Sequence, residues 1–375
     1  MKEQYTAHKE HLQLAKMFSS VRLIGPPMNK SLVEMVVNLF SADEAKVIAN
    51  VPFYYPGSLK RISRKALMPE SQAKVLLDNA SNRKVILRVG NRYALLPILP
   101  GIFEYTLMSG DDSGWRKEYS KQIVAMFSTG YIKKYLSVKM PGIRTIPVES
   151  TVEPKHHVAD ADLISKLLDH HTVFAVAHVC QCRQSVRFAG RECNRASVDD
   201  GCLVFGSFAA GMERSGLGRL VSKEEMASII DERWQKKLVF LTANVSVESP
   251  NAICTCCDCC CHGLETINHF DGMKIMSQPH FIASVDESLC NHCGKCLKTC
   301  NTAAHFLTNK KHGYDSEKCI GCGLCIEHCK VKAIAMVENK TYRPPAKSFG
   351  ALGKKLLPKI AIAGVFAKIS EFRKK

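Results

Sequence analysis

The segment Ser31 to Ala49, SLVEMVVNLFSADEAKVIA, carries apolar residues at helical spacing, and Val51-Pro52 stops it. After the loop FYYPG the pattern predicts a short helix, Ser58 to Leu67, and a longer one opened by Pro69, PESQAKVLLDNA. Two short alternating runs follow, VILRV and RYALLPI, joined by Gly90-Asn91, a dipeptide suited to a tight hairpin. Further on, Thr172 to Val179 (TVFAVAHV) reads as a buried strand, and Ser222 with Glu225 forms a capping box that opens a helix. At the far end, Ile362, Val365, Phe366, Ile369 and Phe372 fall on one helical face beyond Pro358.

The front of the chain, three helices and a two-stranded wing, has the order of a winged helix. Its third helix offers only Lys74 beside Glu70 and Asp78, whereas a groove-reading helix needs several donors to phosphates and bases. The basic residues Lys60, Arg61, Arg64 and Lys65 lie on the shorter helix instead. Protein docking is therefore the expectation, and DNA binding the weaker one.

Composition adds a sharp asymmetry. The 375-residue chain has 18 cysteines, none before Cys180 and none after Cys329. There is no run of about 18 apolar residues, and the charged start MKEQYTAHKEHLQLAKMF reads as no export signal. So many thiols then point to a reducing cytoplasm in which thiolates hold metal. The net charge of +17 asks for anionic partners, and the tail supplies much of it: from Lys340 to Lys375 ten basic residues stand against Glu371 alone. Pro344-Pro345 starts this tail as a linker, and a basic amphipathic helix of its kind suits an anionic membrane or an acidic partner. The expected location is cytoplasmic, with room for a peripheral place on the inner face of the membrane.

The clearest chemistry is a pattern that occurs twice. Cys290, Cys293, Cys296 and Cys300 are spaced C-x2-C-x2-C-x3-C, and Cys319, Cys322, Cys325 and Cys329 repeat each position 29 residues later. A cubane needs four converging thiolates: the short loop wraps three iron corners and a distant cysteine supplies the fourth. The repeat resembles the bacterial two-cluster ferredoxin. That resemblance implies one [4Fe-4S] cluster on Cys290, Cys293, Cys296 and Cys329, and another on Cys319, Cys322, Cys325 and Cys300. The family's proline after the fourth cysteine is replaced by Asn301 and Lys330. Between Cys290 and Lys332 seven lysines stand against Asp315, Glu317 and Glu327. Such positive charge favours a reduced cluster and an acidic redox partner.

Ten cysteines remain: Cys180, Cys182, Cys193 and Cys202, then Cys254, Cys256, Cys257, Cys259, Cys260 and Cys261 in the stretch CTCCDCCC. Adjacent cysteines can scarcely all serve one cubane, so the stretch is expected to divide its thiolates between two directions. One or two additional iron–sulfur clusters are expected here ahead of structural zinc, since thiolate-only sites suit both. Unusual clusters with extra thiolate ligands are a third possibility. Arg183 of CQCR would either sit beside a cluster and tune it or be an ordinary surface arginine. His170, His171 and His178 are left out of the ligand set, His178 being read as a buried strand histidine.

The succession of C-x-C-R, two spaced cysteines, the helix start GLGRLVSKEE and CTCCDCCC resembles a family of larger iron–sulfur proteins of anaerobes described as 4Fe-4S ferredoxins, from about residue 25 to 338. The expected fold is multi-domain α+β. Residues 1–145 form a mostly helical, winged-helix-like docking domain, and 146–278 an α/β cysteine-rich metal or iron–sulfur module. Residues 279–339 form a bacterial-type two-cluster ferredoxin domain, and 340–375 a basic amphipathic tail. The expected function is relay of single electrons to or from a partner redox enzyme. The chain has no nucleotide or flavin fingerprint and is read as an electron-transfer protein or oxidoreductase subunit before a stand-alone enzyme. The alternatives are a reductase subunit with a catalytic unusual cluster and a redox-sensing regulator.

Overall fold

The computed structural model describes residues 7–152, 163–249 and 251–372, in two compact units. One comprises residues 1–135, 181–192 and 364–375; the other residues 136–180 and 193–363. Residues 1–6 and the basic residues Arg373, Lys374 and Lys375 lie outside the described residues, as do the side chains of Lys368, Glu371 and Phe372.

The first unit begins with α1 (Lys9–Phe18), α2 (Lys30–Leu39) and α3 (Ala42–Ile48). The single helix expected over Ser31 to Ala49 is in fact these last two. The break has a local cause: Ser41 Oγ accepts from the Glu44 N–H while Glu44 Oε2 accepts from the Ser41 N–H, a capping box that starts a new helix. Next come β1 (Gly57–Ser58), α4 (Leu59–Ala66), α5 (Glu70–Asn82), β2 (Leu87–Val89) and β3 (Arg92–Ala94), in a small sheet of order β1-β3-β2. The hairpin turns at Gly90, whose φ of 59° suits glycine. The strand β1 was absent from the sequence reading because two residues carry no periodicity. After α6 (Phe103–Leu107) and α7 (Gly114–Ser128), residues 181–188 return as α8 (Gln181–Phe188). The core joins Leu14, Phe18, Met35, Leu77, Tyr93, Phe103 and Tyr119.

The second unit is built on a six-stranded sheet, every pair antiparallel. Its strands are β4 (Ile143–Thr145), β5 (Phe174–Ala177), β6 (Leu203–Phe205), β7 (Gly218–Val221), β8 (Val239–Ala243) and β9 (Ala252–Cys256), in the order β4-β8-β9-β6-β5-β7. All four residues of β5 are buried, as the apolar run predicts. His178 is different: pairing stops at Ala177 opposite Gly218, and the imidazole just beyond the strand end is exposed, not buried. The helix α9 (Lys223–Gln235) opens with Ser222 Oγ accepting from the Glu225 N–H and packs Met226, Ile230 and Trp234 into the core.

The repeat region carries two small antiparallel sheets. One pairs β10 (Phe281–Val285) with β13 (Ile334–Glu338), and the other is the hairpin of β11 (His305–Thr308) and β12 (Lys311–Tyr314). Its Ile320 and Leu324 lie in the same core as Phe205, Trp234 and Phe240 of the six-stranded region.

The tail helix α10 runs Phe349–Phe372, with Pro358 inside it, and so begins nine residues before the expected start. The reason is tertiary: Leu352, Ala351 and Leu356 pack on Val245 and Ala346, and this packing offsets the backbone hydrogen bond that proline removes. Ala363 and Ala367 are buried, while Ile362, Val365, Phe366 and Ile369 are 44–59% exposed.

Candidate metal centres

In the repeat, the ends of two loops and two short helices gather the cysteines. A solvent-open cleft of about 330 Å³ is lined by Cys290, Cys293 and Cys296 from one half and Cys329 from the other, with His292 and His328 beside them. Cys300 stands electrostatically among Cys319, Cys322 and Cys325, raising the Cys322 thiol after burial has done so more strongly. The Cys325 thiol is likewise pushed up, first by burial and then by Cys322, Cys319 and Cys300. Burial lifts the Cys296 thiol to about 11. Un-neutralised thiolates are costly in such surroundings, so these groups suit a site that supplies positive charge.

The 29-residue repeat extends beyond the cysteines. The Ala304 N–H donates to Cys300 Sγ at 3.3 Å, and the Ala333 N–H donates to Cys329 Sγ at 3.3 Å. Hydrogen bonds to ligand sulfur are a means by which a protein tunes a cluster's potential. The two halves differ in exposure at the second cysteine, Cys293 being exposed and its equivalent Cys322 only partly so, while the third cysteines, Cys296 and Cys325, are both buried. Near the first group His305 Nδ1 lies 3.0 Å from His312 Nε2, and burial, then His312, lowers His305 to about 4. These imidazoles also come within 4.8 Å of the Cys296 sulfur. All seven lysines of the region are exposed.

Glycine is required unequally in the two halves. Gly294 and Gly323 occupy equivalent positions with φ of 70° and 81°. A Cβ at Gly294 would meet only Leu307 at 3.6 Å, while at Gly323 it would press on the Thr151 side chain at 2.4 Å. Gly294→Ala is expected to cost about 1 kcal/mol from the backbone alone, and Gly323→Ala clearly more, with loss of iron from the Cys319 group. Denaturant midpoints and iron content of the two variants check this.

The stretch CTCCDCCC is divided by the sheet. Cys254 and Cys256 are alternate residues of β9, so they share a face. The register Leu203↔Ile253 sets Cys202 opposite Cys254, with sulfurs 3.6 Å apart, and Cys256 lies 3.3 Å from Cys261. Hydrogen bonding with Cys254 and Cys261 raises the Cys256 thiol. Cys257, Cys259 and Cys260 gather instead with Cys193: the Cys193 sulfur is 3.6 Å from Cys257 and 3.7 Å from Cys259, and Cys260 is 3.7 Å from Cys259. In this second set hydrogen bonds from Cys257, Cys259 and Cys260 hold Cys193 far below the usual thiol value. The reciprocal bond from Cys193 raises Cys260.

Neighbouring polar groups that sequence reasoning missed lock this second set. Arg195 grips Asp258 through Nε at 2.7 Å and a terminal nitrogen at 2.9 Å. The buried Asn301, next to Cys300, accepts from the Asp258 N–H at 3.0 Å and donates to the Lys237 carbonyl at 3.2 Å. Proline at 301 could do neither, which explains the departure from the ferredoxin pattern. That departure was the available signal. Cys180 donates its N–H to the Val198 carbonyl at 2.8 Å. Cys182 packs against the core of the first unit. Arg183 is 2% exposed, which overturns its reading as a surface arginine.

Residues 283–336 match the family model described as a 4Fe-4S dicluster domain. The matched segment holds all eight repeat cysteines, and its end residues Ala283 and Met336 are register partners in the sheet of β10 and β13. The chain, of mixed helix and sheet, thus carries an iron–sulfur, ferredoxin-type domain toward the C-terminus. Comparisons with curated proteins and with solved structures return no match. No described helix is long and apolar enough to cross a membrane.

Proposed function

We propose that the chain relays single electrons between partners, with Cys290, Cys293, Cys296 and Cys329 holding one [4Fe-4S] cluster and Cys300, Cys319, Cys322 and Cys325 the other. The observation that carries this reading is the pairing of thiols across the repeat, Cys329 lining the first cleft and Cys300 standing among the second three. When bound, such clusters accept and return one electron at a time. The chain's part is to exclude water from the inner group, to donate N–H bonds to sulfur from Ala304 and Ala333, and to bring the outer group to the surface at Cys293. Exposed lysines around that exit suit an acidic partner. A further iron–sulfur centre is assigned to Cys202, Cys254, Cys256 and Cys261, whose sulfurs approach in two pairs, Cys202 with Cys254 and Cys256 with Cys261. Anaerobically purified protein should contain at least about eight iron and eight sulfide, and its visible absorption should bleach and recover through repeated reduction and oxidation. An irreversible bleach, or sulfide near zero, contradicts the reading.

The front domain, a winged-helix-like arrangement, is assigned to protein docking. Asp78 engages Lys74 at 2.5 Å and Arg88 at 3.0 Å, so two cations of the third helix and wing are already neutralised. The tail is assigned to docking on an anionic membrane. Its exposed stripe of Ile362, Val365, Phe366 and Ile369 lies on a helix rich in lysine. Flotation with vesicles containing phosphatidylserine should fall at least severalfold in Ile362→Asp/Phe366→Asp with iron unchanged, and unchanged flotation at low salt would refute the assignment.

A further inference from the structure

The two sets of thiols drawn from CTCCDCCC differ in compactness, and the difference bears on what each can bind. The sulfurs of Cys193, Cys257, Cys259 and Cys260 all lie within 4.8 Å of one another. Among the described residues neither four-cysteine group of the repeat is drawn together so tightly, nor is the set of Cys202, Cys254, Cys256 and Cys261. The ligand geometry of a single tetrahedral ion explains such closeness. With metal–sulfur bonds of about 2.3 Å, four thiolates around one ion stand about 3.8 Å from each other. The three separations of 3.6, 3.7 and 3.7 Å fall at that edge length. In a cubane each thiolate goes to its own iron corner, and the sulfurs are spread by the cluster between them.

We propose that Cys193, Cys257, Cys259 and Cys260 form a mononuclear site that takes one divalent thiophilic ion, zinc or ferrous iron, and no inorganic sulfide. Binding replaces the four thiol protons by the ion, so up to four protons leave and a centre of net charge −2 forms. The surroundings fit that charge. Arg195, two residues from Cys193, holds both carboxylate oxygens of Asp258, which stands between Cys257 and Cys259, and so ties the loop of Cys193 to that of the other three. Asn301 holds the Asp258 backbone between Cys257 and Cys259, one residue from Cys300. The site is therefore prepared by a polar shell, as metal centres require, and it adjoins the inner group of the ferredoxin repeat.

This inference uses none of the eight repeat cysteines and so stands or falls apart from the electron-relay reading. The test uses the full chain, produced anaerobically with iron and zinc both supplied, and compared with Cys193→Ser and Cys257→Ser. Each variant is expected to lose about one zinc, or about one iron, per chain, with acid-labile sulfide unchanged. Loss of iron and sulfide together, in several equivalents each, with the remaining clusters intact by electron paramagnetic resonance, overturns the proposal. The wild-type protein gives a second reading that no folding defect can disturb. Zinc-edge X-ray absorption should show about four sulfurs at about 2.3 Å with no iron neighbour, or else Mössbauer spectra should show a high-spin ferrous tetrathiolate beside the cluster signals. The first outcome makes the ion zinc, the second makes it iron, and the absence of both overturns the proposal.

Discussion

Replacing Cys319 by alanine is expected to remove one four-iron cluster, and replacing Cys300, from the other half of the repeat, is expected to remove the same one. Each substitution takes away one of four converging thiolates, and iron and sulfide should each fall by about four per chain. The informative variant is the double one. With both residues on one cluster, as proposed, Cys300→Ala/Cys319→Ala should lose no more than either single change, whereas Cys290→Ala/Cys319→Ala should lose both clusters. Such non-additivity is the mark of groups acting as a unit. Should Cys300→Ala instead combine with Cys319→Ala to empty both sites, the thiols would be grouped within each half of the repeat.

The second large effect concerns Asp200. Its carboxylate is 8% exposed and pairs with the Arg233 guanidinium of α9, itself 6% exposed, while Lys236 Nζ approaches at 2.8 Å and the Ser197 N–H donates at 3.1 Å. Asp200→Ala would take away the buried partner of Arg233 and leave it the half-exposed Glu232 carboxylate at 3.3 Å, and breaking one side of a buried pair costs about 3–5 kcal/mol. The loss should reach the metal as well as the fold, because Asp200 sits two residues before Cys202 and fixes that loop to α9. We expect a fall in denaturation midpoint and, at temperatures where the variant is still folded, less iron at the Cys202 set. A change below about 1 kcal/mol, the range of a surface pair, would mean that Arg233 finds other acceptors.

Much of this was legible in the residues themselves. The repeat announced itself through spacing alone, because a cubane dictates where its thiolates lie along the chain. The strand before Cys180 and the helix after Ser222 were also local, one a continuous apolar run and the other a cap. Ser41 with Glu44 was equally readable, yet the apolar periodicity across it suggested one long helix and hid the break. What could not be read depends on contacts between distant segments. The partition of CTCCDCCC follows from β9 pairing with β6, which sets Cys202 against Cys254 across about fifty residues of chain. The early start of α10 follows from Leu352 meeting Val245. Asn301 was visible only as a missing proline, and its partner Asp258 lies in another part of the sequence.

These particulars bear on one claim, that two clusters on the crossed cysteines make the chain an electron relay. Electron paramagnetic resonance of the anaerobic protein during stepwise reduction tests it most directly. The account requires signals from two [4Fe-4S] centres that each take up one electron, broadened by mutual spin coupling once both are reduced, with Cys300→Ala and Cys319→Ala abolishing the same one. A protein that carries iron yet shows a single uncoupled centre, or none that reduces reversibly, would contradict it.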